Sequence, residues 1–213
     1  MLLIAAAVTA EIEALIGGPG FVRLGENCWR HRNKPVLVVA IGIGLVDFSA
    51  GLEAVLKDHA IDRVILTGSC GVYPGVVGQW SVGSLVAPRE VILADSLAPS
   101  GKTYFPAPLP QYCRLDEELA ACLLPSADGR ALTLAAITTD DDIAWALEQH
   151  YQAHFEQMEL FALARVCELH RLPAAALLGV TNRVGAAAHQ QWRSTAAAVA
   201  ERCCEHLRKV FQL

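Results

Sequence analysis

The feature that most constrains this chain is a set of short, almost continuously apolar runs: Leu2–Val8, Val36–Ile41, Arg63–Leu66, Ser84–Ala87, Ala131–Ile137 and Ala174–Thr181. Runs of this length read as strands covered on both faces. Between them lie helical patterns. Val46–His59 puts Phe48, Leu52, Val55 and Leu56 on one face, and Leu160–Leu169 and Ser194–Val210 also read as helices. Strands alternating with helices predict an α/β layer architecture around a parallel or mixed sheet. At 213 residues the chain suits one domain, residues 1–213, with no internal repeat or low-complexity linker. A hydrophobic share of 54% against 18% charged supplies a large core and leaves apolar surface for self-association.

Several function classes are disfavoured. No apolar run is long enough to span a membrane, and Leu2–Val8 lacks a preceding basic segment and is followed by Glu11 and Glu13. The cytoplasm is therefore the expected compartment. The formal net charge is −5, and no basic cluster exceeds Arg30-His31-Arg32, which argues against nucleic-acid or anionic-membrane partners. Seven scattered cysteines with no C-x-x-C pair point to reduced thiols, not a disulfide scaffold or a zinc site, so no metal or cofactor is expected.

Chemistry-bearing residues cluster at the predicted carboxyl ends of strands, where open α/β sheets build their sites. Glu11 follows the first strand: it is placed either to complement a helix dipole or to act as a general base on water. Gly42-Ile43-Gly44 allows close backbone approach, and its amides suit an anion or a sugar. The third glycine of a dinucleotide fingerprint would fall at Asp47, so that cofactor is unsupported. Thr67-Gly68-Ser69-Cys70-Gly71 reads as a glycine-rich strand-to-loop turn. Cys70 has no His or Lys nearby in sequence and is not expected to be a nucleophile. In Glu156-Gln157-Met158-Glu159, the last carboxylate sits between apolar neighbours, where it must be solvated, paired or used; it can accept from two adjacent sugar hydroxyls. Asn182 carries donors and an acceptor together and can read a base edge, or it can simply cap a turn. The long stretch Leu97–Pro110, with Tyr104, Phe105 and three prolines, is either a surface connector or a cover over a site or partner.

Taken in order, Glu11, Gly42-Ile43-Gly44, Gly68-Ser69-Cys70-Gly71, Met158-Glu159 and Asn182 resemble the nucleoside phosphorylase and nucleosidase superfamily across almost the whole chain. The ending Thr181-Asn182-Arg183-Val184-Gly185 with Gln191-Trp192-Arg193 resembles the futalosine hydrolases, the menaquinone-pathway branch. The resemblance implies a three-layer α/β/α fold with a mixed, twisted central sheet. It implies Glu11, Glu159 and Asn182 as catalytic residues: Glu11 positions water, Glu159 bonds the ribose and Asn182 reads the base. Met158 would pack beneath the sugar, with Gly44, Ser69, Cys70, Gly71, Thr139, Asp140 and Gln157 as further substrate-binding residues. A homodimer or larger homo-oligomer is implied, with Tyr104 and Phe105 on the partner-subunit loop.

The same resemblance bears on the reaction. Adenine-specific members carry aspartate where Asn182 stands, and 6-oxopurine members carry asparagine. An amide can donate to a carbonyl at position six and accept from a ring N–H, which an ionised carboxylate cannot. Phosphorylases carry an arginine where Leu66 stands, and losing it removes a bidentate phosphate contact. The expected activity is hydrolysis of a 6-oxopurine nucleoside, futalosine above others, giving hypoxanthine. The alternatives are a methylthioadenosine/S-adenosylhomocysteine nucleosidase, a purine nucleoside phosphorylase, or a non-catalytic nucleoside-binding protein. The last draws on departures from the family pattern. Thr138-Thr139-Asp140-Asp141-Asp142-Ile143 lacks the base-stacking aromatic, which leaves Trp145 or Tyr104 as substitutes. Leu178 replaces an arginine, and Gln157 a glutamate. Asp140 could support Asn182 or merely begin a helix; Arg183 or Arg193 could meet the tail of the substrate.

Overall fold

The computed structural model describes residues 1–126 and 128–213. Among these, eleven strands join in one mixed sheet: β1 (Leu2–Ala6), β2 (Phe21–Arg23), β3 (Cys28–His31), β4 (Val36–Ala40), β5 (Arg63–Val72), β6 (Leu85–Val86), β7 (Glu90–Leu93), β8 (Tyr112–Arg114), β9 (Arg130–Thr133), β10 (Phe155–Gln157) and β11 (Ala174–Arg183). The helices are α1 (Glu13–Ile16), α2 (Gly44–Asp58), α3 (Glu117–Leu123), α4 (Asp141–Tyr151), α5 (Leu160–His170) and α6 (Ala188–Phe211).

The strand order is β2-β3-β4-β1-β5-β10-β9-β7-β8, with β11 pairing both β5 and β6. Alternation along each strand divides the core in two. Leu3, Ala5, Leu37, Val39, Val64 and Leu66 pack with Phe48 and Leu52 of α2 and Leu160, Leu163 and Cys167 of α5. Their neighbours Leu2, Ile4, Val36, Val38 and Ile65 face Leu119 and Leu123 of α3 and Cys203, Cys204 and Leu207 of α6. Side chains of successive strand residues point to opposite faces, so each apolar run feeds both layers at once. This is the α/β/α architecture expected from the sequence.

The strand that matters most is β5, because it changes partners midway. Leu2–Ala5 of β1 pair with Arg63–Leu66 of its first half, while Gly71 and Val72 of its second half pair antiparallel with β10. Between Leu66 and Gly71 that edge of β5 has lost β1 and not yet met β10. On its other edge β11 runs alongside from Val64 to Val72. The sheet therefore opens at Thr67–Cys70, and the carboxyl ends of β1 and β10 face each other across the gap.

Several sequence expectations shift. Thr67–Gly71 is a continuation of β5, not a turn, because pairing with β11 supplies the backbone bonds a turn would need. Leu2–Val8 stops at Ala6, since the amides of Ala7 and Val8 turn to donate to Glu11. Ala131–Ile137 stops at Thr133, and Ser84–Ala87 shrinks to two residues. Ser194–Val210 gains its first turns from Ala188. All seven cysteines are free. No helix among the described residues is long and apolar enough to cross a membrane.

Candidate active site

A cavity of about 330 Å³ fills the opening in the sheet. Ala7 and Val8 wall it from the end of β1, and Ser69, Cys70 and Gly71 from β5. Glu156–Glu159 come from β10 and the turn after it, and Thr181 and Asn182 from β11. The break in strand pairing thus converts backbone topology into a binding space.

Glu11 ends a short 3-10 turn at Thr9–Glu11 directly after β1. Its Oε2 accepts from the Ala7 amide at 3.0 Å and the Val8 amide at 3.4 Å, and its Oε1 from the Ser69 amide at 3.1 Å and hydroxyl at 3.4 Å. Burial raises its carboxyl above the ordinary range, and the Ser69, Val8 and Ala7 amides pull it back down. The carboxylate lies against Gly68, where an added Cβ would fall 2.7 Å from Oε1. Only glycine leaves room for Glu11 there.

Across the opening, Glu159 precedes α5 and its Oε1 accepts from the Gly44 amide at 2.8 Å. Gly44 begins α2 with φ of 78°, the left-handed region that glycine tolerates. Burial pushes the Glu159 carboxyl up to about 7; the Gly44 amide lowers it, and the negative charge of Glu11 raises it. A buried carboxylate whose ionisation is opposed by a second one suits a site where positive charge develops. Met158 reaches to within 3.9 Å of a Cβ position on Gly44 and lines the cavity beside Glu159.

The far end of the cavity is polar and buried. Asn182 lies beyond an irregularity in β11, where the pairing shifts register between Val180 and Asn182. Such a bulge re-aims a side chain. The Thr181 hydroxyl donates to Asn182 Oδ1 at 2.8 Å, and Asn182 Nδ2 donates to the Arg183 carbonyl at 3.0 Å, which fixes the amide's orientation. Gln157 Oε1 accepts from the Glu159 amide, leaving Gln157 Nε2 buried with no protein partner. A buried orphan donor on a cavity wall is a place for a ligand acceptor. Burial pushes the Cys70 thiol up, so it is no ready nucleophile.

The other expected residues lie elsewhere. Asp140 is the N-cap of α4, accepting from the Ile143 amide at 2.9 Å, and both it and Thr139 are exposed and off the cavity wall. Asp141 ties α4 to the loop after Asn182 through the Ala186 amide at 2.9 Å. Tyr104 is 87% exposed and Trp145 62%; neither they nor Phe105 line the cavity. The aromatic rings on its wall are instead His189 and Trp192 of α6, stacked at 6.0 Å with an interplanar angle of 18°. The helical pattern missed this part of α6 because its apolar side faces the cavity, not the core. Ile43, Ile137 and Glu156 also line the space. A second, largely apolar groove of about 420 Å³ shares Val8, Ser69 and Trp192 with it and carries Glu11, Glu13 and Arg193 on its wall, so Glu11 borders this groove and not the first cavity; Arg183 lines neither. Among the described residues no group of three or more His, Cys, Asp or Glu is placed to hold a metal ion.

Comparison with known proteins places this arrangement. Residues 8–212 match the family model of the phosphorylase superfamily. Futalosine hydrolase of Thermus thermophilus is 31% identical over 181 residues, covering 78% of each chain. The native structure of futalosine hydrolase from Helicobacter pylori has a TM-score of 0.85 at 17% identity, over 99% of this chain and 97% of that one. A Helicobacter pylori 5'-methylthioadenosine/S-adenosylhomocysteine nucleosidase holding butyl-thio-DADMe-Immucillin-A has a TM-score of 0.86 at 16% identity, over 99% and 97%. The chain belongs to the phosphorylase superfamily, and within it to the enzymes that hydrolyse N-glycosidic bonds.

Proposed function

We propose that the protein is a purine nucleosidase acting on a 6-oxopurine nucleoside. Futalosine is the substrate, and hypoxanthine and dehypoxanthine futalosine are the products, a step of menaquinone biosynthesis. The observation that carries this reading is the opposed pair Glu11 and Glu159. Glu159 lines the cavity that also holds Asn182, and Glu11 lines the adjoining groove that shares Val8 and Ser69 with it, each carboxylate being anchored by backbone amides. In this reading Glu159 accepts from the ribose hydroxyls and Met158 supports the sugar. As the C1'–N9 bond breaks, its electron pair leaves with the base and the sugar becomes oxocarbenium-like. Water beside Ser69 attacks C1' and gives its proton to Glu11, while the departing base takes a proton from solvent to become neutral hypoxanthine and Glu11 later returns its own to solvent.

Water is favoured over phosphate because, among the described residues, those lining the cavity include no arginine or lysine. Leu66 instead packs in the core against α2 and α5. The aromatic tail of futalosine suits the largely apolar groove, with Arg193 as the cation for its carboxylate on a wall that also carries Glu11 and Glu13. Residues 1–213 act as one catalytic unit in the cytoplasm. The exposed Tyr104–Pro110 segment, with Phe105, is the contact to a second copy.

The test is a panel of futalosine, aminodeoxyfutalosine, methylthioadenosine and inosine, assayed for free base with and without phosphate. Hypoxanthine release independent of phosphate is expected. Preferred adenine release, or a rate that requires phosphate, sinks the assignment. Glu11→Ala and Glu159→Ala are each expected to lower turnover by orders of magnitude while the protein still melts cooperatively. Near-normal turnover in either variant removes its role.

A further inference from the structure

Glu156 takes no part in the ribose or water chemistry, yet it lines the cavity while only 7% exposed. No ion pair neutralises it among the described residues. Three donors hold it instead. The Thr138 amide donates to Oε1 at 2.9 Å, and the Thr138 and Tyr73 hydroxyls donate to Oε2 at 2.7 and 2.8 Å. A carboxylate has about four acceptor positions. One therefore remains on Oε1, open to a donor in the cavity.

Strand register says where Glu156 points. Glu156 of β10 stands opposite Gly71 of β5, and Asn182 of β11 stands opposite the same glycine on the other side. Residues directly opposite one another project from the same face of a sheet. Glu156 and Asn182 are thus two walls of one slot, two strand spacings or roughly 9–10 Å apart at the backbone. Gly71 is its floor: an added Cβ there would meet Asn182 Nδ2 at 2.9 Å, so that nitrogen lies over the glycine. One wall accepts and the other donates, and Val184, whose Cγ2 would also lie 2.9 Å from that added Cβ, gives the floor an apolar edge.

We infer that Glu156 is a specificity-determining residue that accepts a hydrogen bond from N1–H of a 6-oxopurine, while Asn182 Nδ2 donates to the O6 and N7 edge. This rests on the nucleosidase reading above. Hypoxanthine offers N1–H as donor and O6 and N7 as acceptors, matching both walls. Adenine turns an N1 lone pair towards the carboxylate and an amino group towards the amide, two mismatches at buried groups. The Thr181 hydroxyl and the Arg183 carbonyl hold the orientation of the Asn182 amide, and an ionised Glu156 carboxylate can only accept.

The experiment uses the wild-type enzyme and free bases as inhibitors of dehypoxanthine futalosine formation from futalosine. Hypoxanthine is expected to bind about tenfold or more tightly than 1-methylhypoxanthine or adenine, the worth of one hydrogen bond to a charged group. Equal inhibition by hypoxanthine and 1-methylhypoxanthine overturns the role of Glu156 while leaving the nucleosidase reading intact. In Glu156→Gln, the hypoxanthine-over-adenine preference is expected to fall by about tenfold, and an unchanged ratio in a folded variant also overturns it. Should that variant not fold, the wild-type inhibition series decides alone. Faster release of adenine than of hypoxanthine by the wild type overturns the 6-oxopurine reading itself, and the Glu156 role with it.

Discussion

Single residues in this protein act mainly by the space and donors they leave for others. Gly68 shows it most directly. Its missing side chain makes room for the Glu11 carboxylate, which in turn ties the end of β1 to the open edge of β5. Gly68→Ala is expected to push that flexible carboxylate aside and cut turnover by about tenfold or more, the effect of misplacing a catalytic group. Moving the carboxylate also strips the Ala7, Val8 and Ser69 amides of their acceptor, so a fall in melting temperature is expected alongside the loss of turnover. Turnover equal to wild type would show that the position of Glu11 is not critical. The sequence made Glu11, Ser69 and Glu159 visible as polar residues beside apolar runs. It did not show that Asp140 caps α4 instead of facing the cavity, because a helix cap and a substrate contact use the same side chain in the same local sequence.

Elements decide where those residues meet. The length of β5 was hidden, since two glycines, a serine and a cysteine read as a turn until β11 supplies a partner from Val64 to Val72. The two-edged pairing of β5 is a tertiary fact with no local signature. α6 contributes in a similar way: its later turns pack on β11 and α1, and its first turns bring His189 and Trp192 to the cavity. The close approach depends on Gly179 in β11, where a Cβ would lie 2.1 Å from Val199 Cγ1 and 3.0 Å from Cys203 Sγ. Neither neighbour can swing away, so Gly179→Ala should force the helix outward. A loss of about 1–3 kcal/mol is expected from such overpacking, read as a lower urea midpoint, with weakened substrate affinity as the helix carries Trp192 with it. An unchanged midpoint would mean that α6 is mounted more loosely than its contacts imply.

At the scale of the whole molecule, the site costs stability, and the cost depends on pH. The Glu159 carboxyl is held at about 7 against an ordinary 4.5, so the folded protein keeps this proton to higher pH than the unfolded chain does. Between these values the native state binds more protons, and stability from this group falls as pH rises, with the loss complete above the upper value. Glu159→Gln removes the titration but keeps an acceptor for the Gly44 amide. It should therefore melt above the wild type at about pH 8 and converge with it near about pH 4. A melting temperature at or below that of the wild type at the higher pH would contradict the burial argument. The sequence by itself determined the layered α/β class, the two apolar faces of each strand and the polar residues at strand ends, because periodicity and composition are local properties. Only the tertiary structure decided that β5 would part from β1 before meeting β10. That parting sets Glu11 and Glu159 across one opening and stands Glu156 and Asn182 on either side of Gly71, because strand register joins residues that lie far apart in the chain.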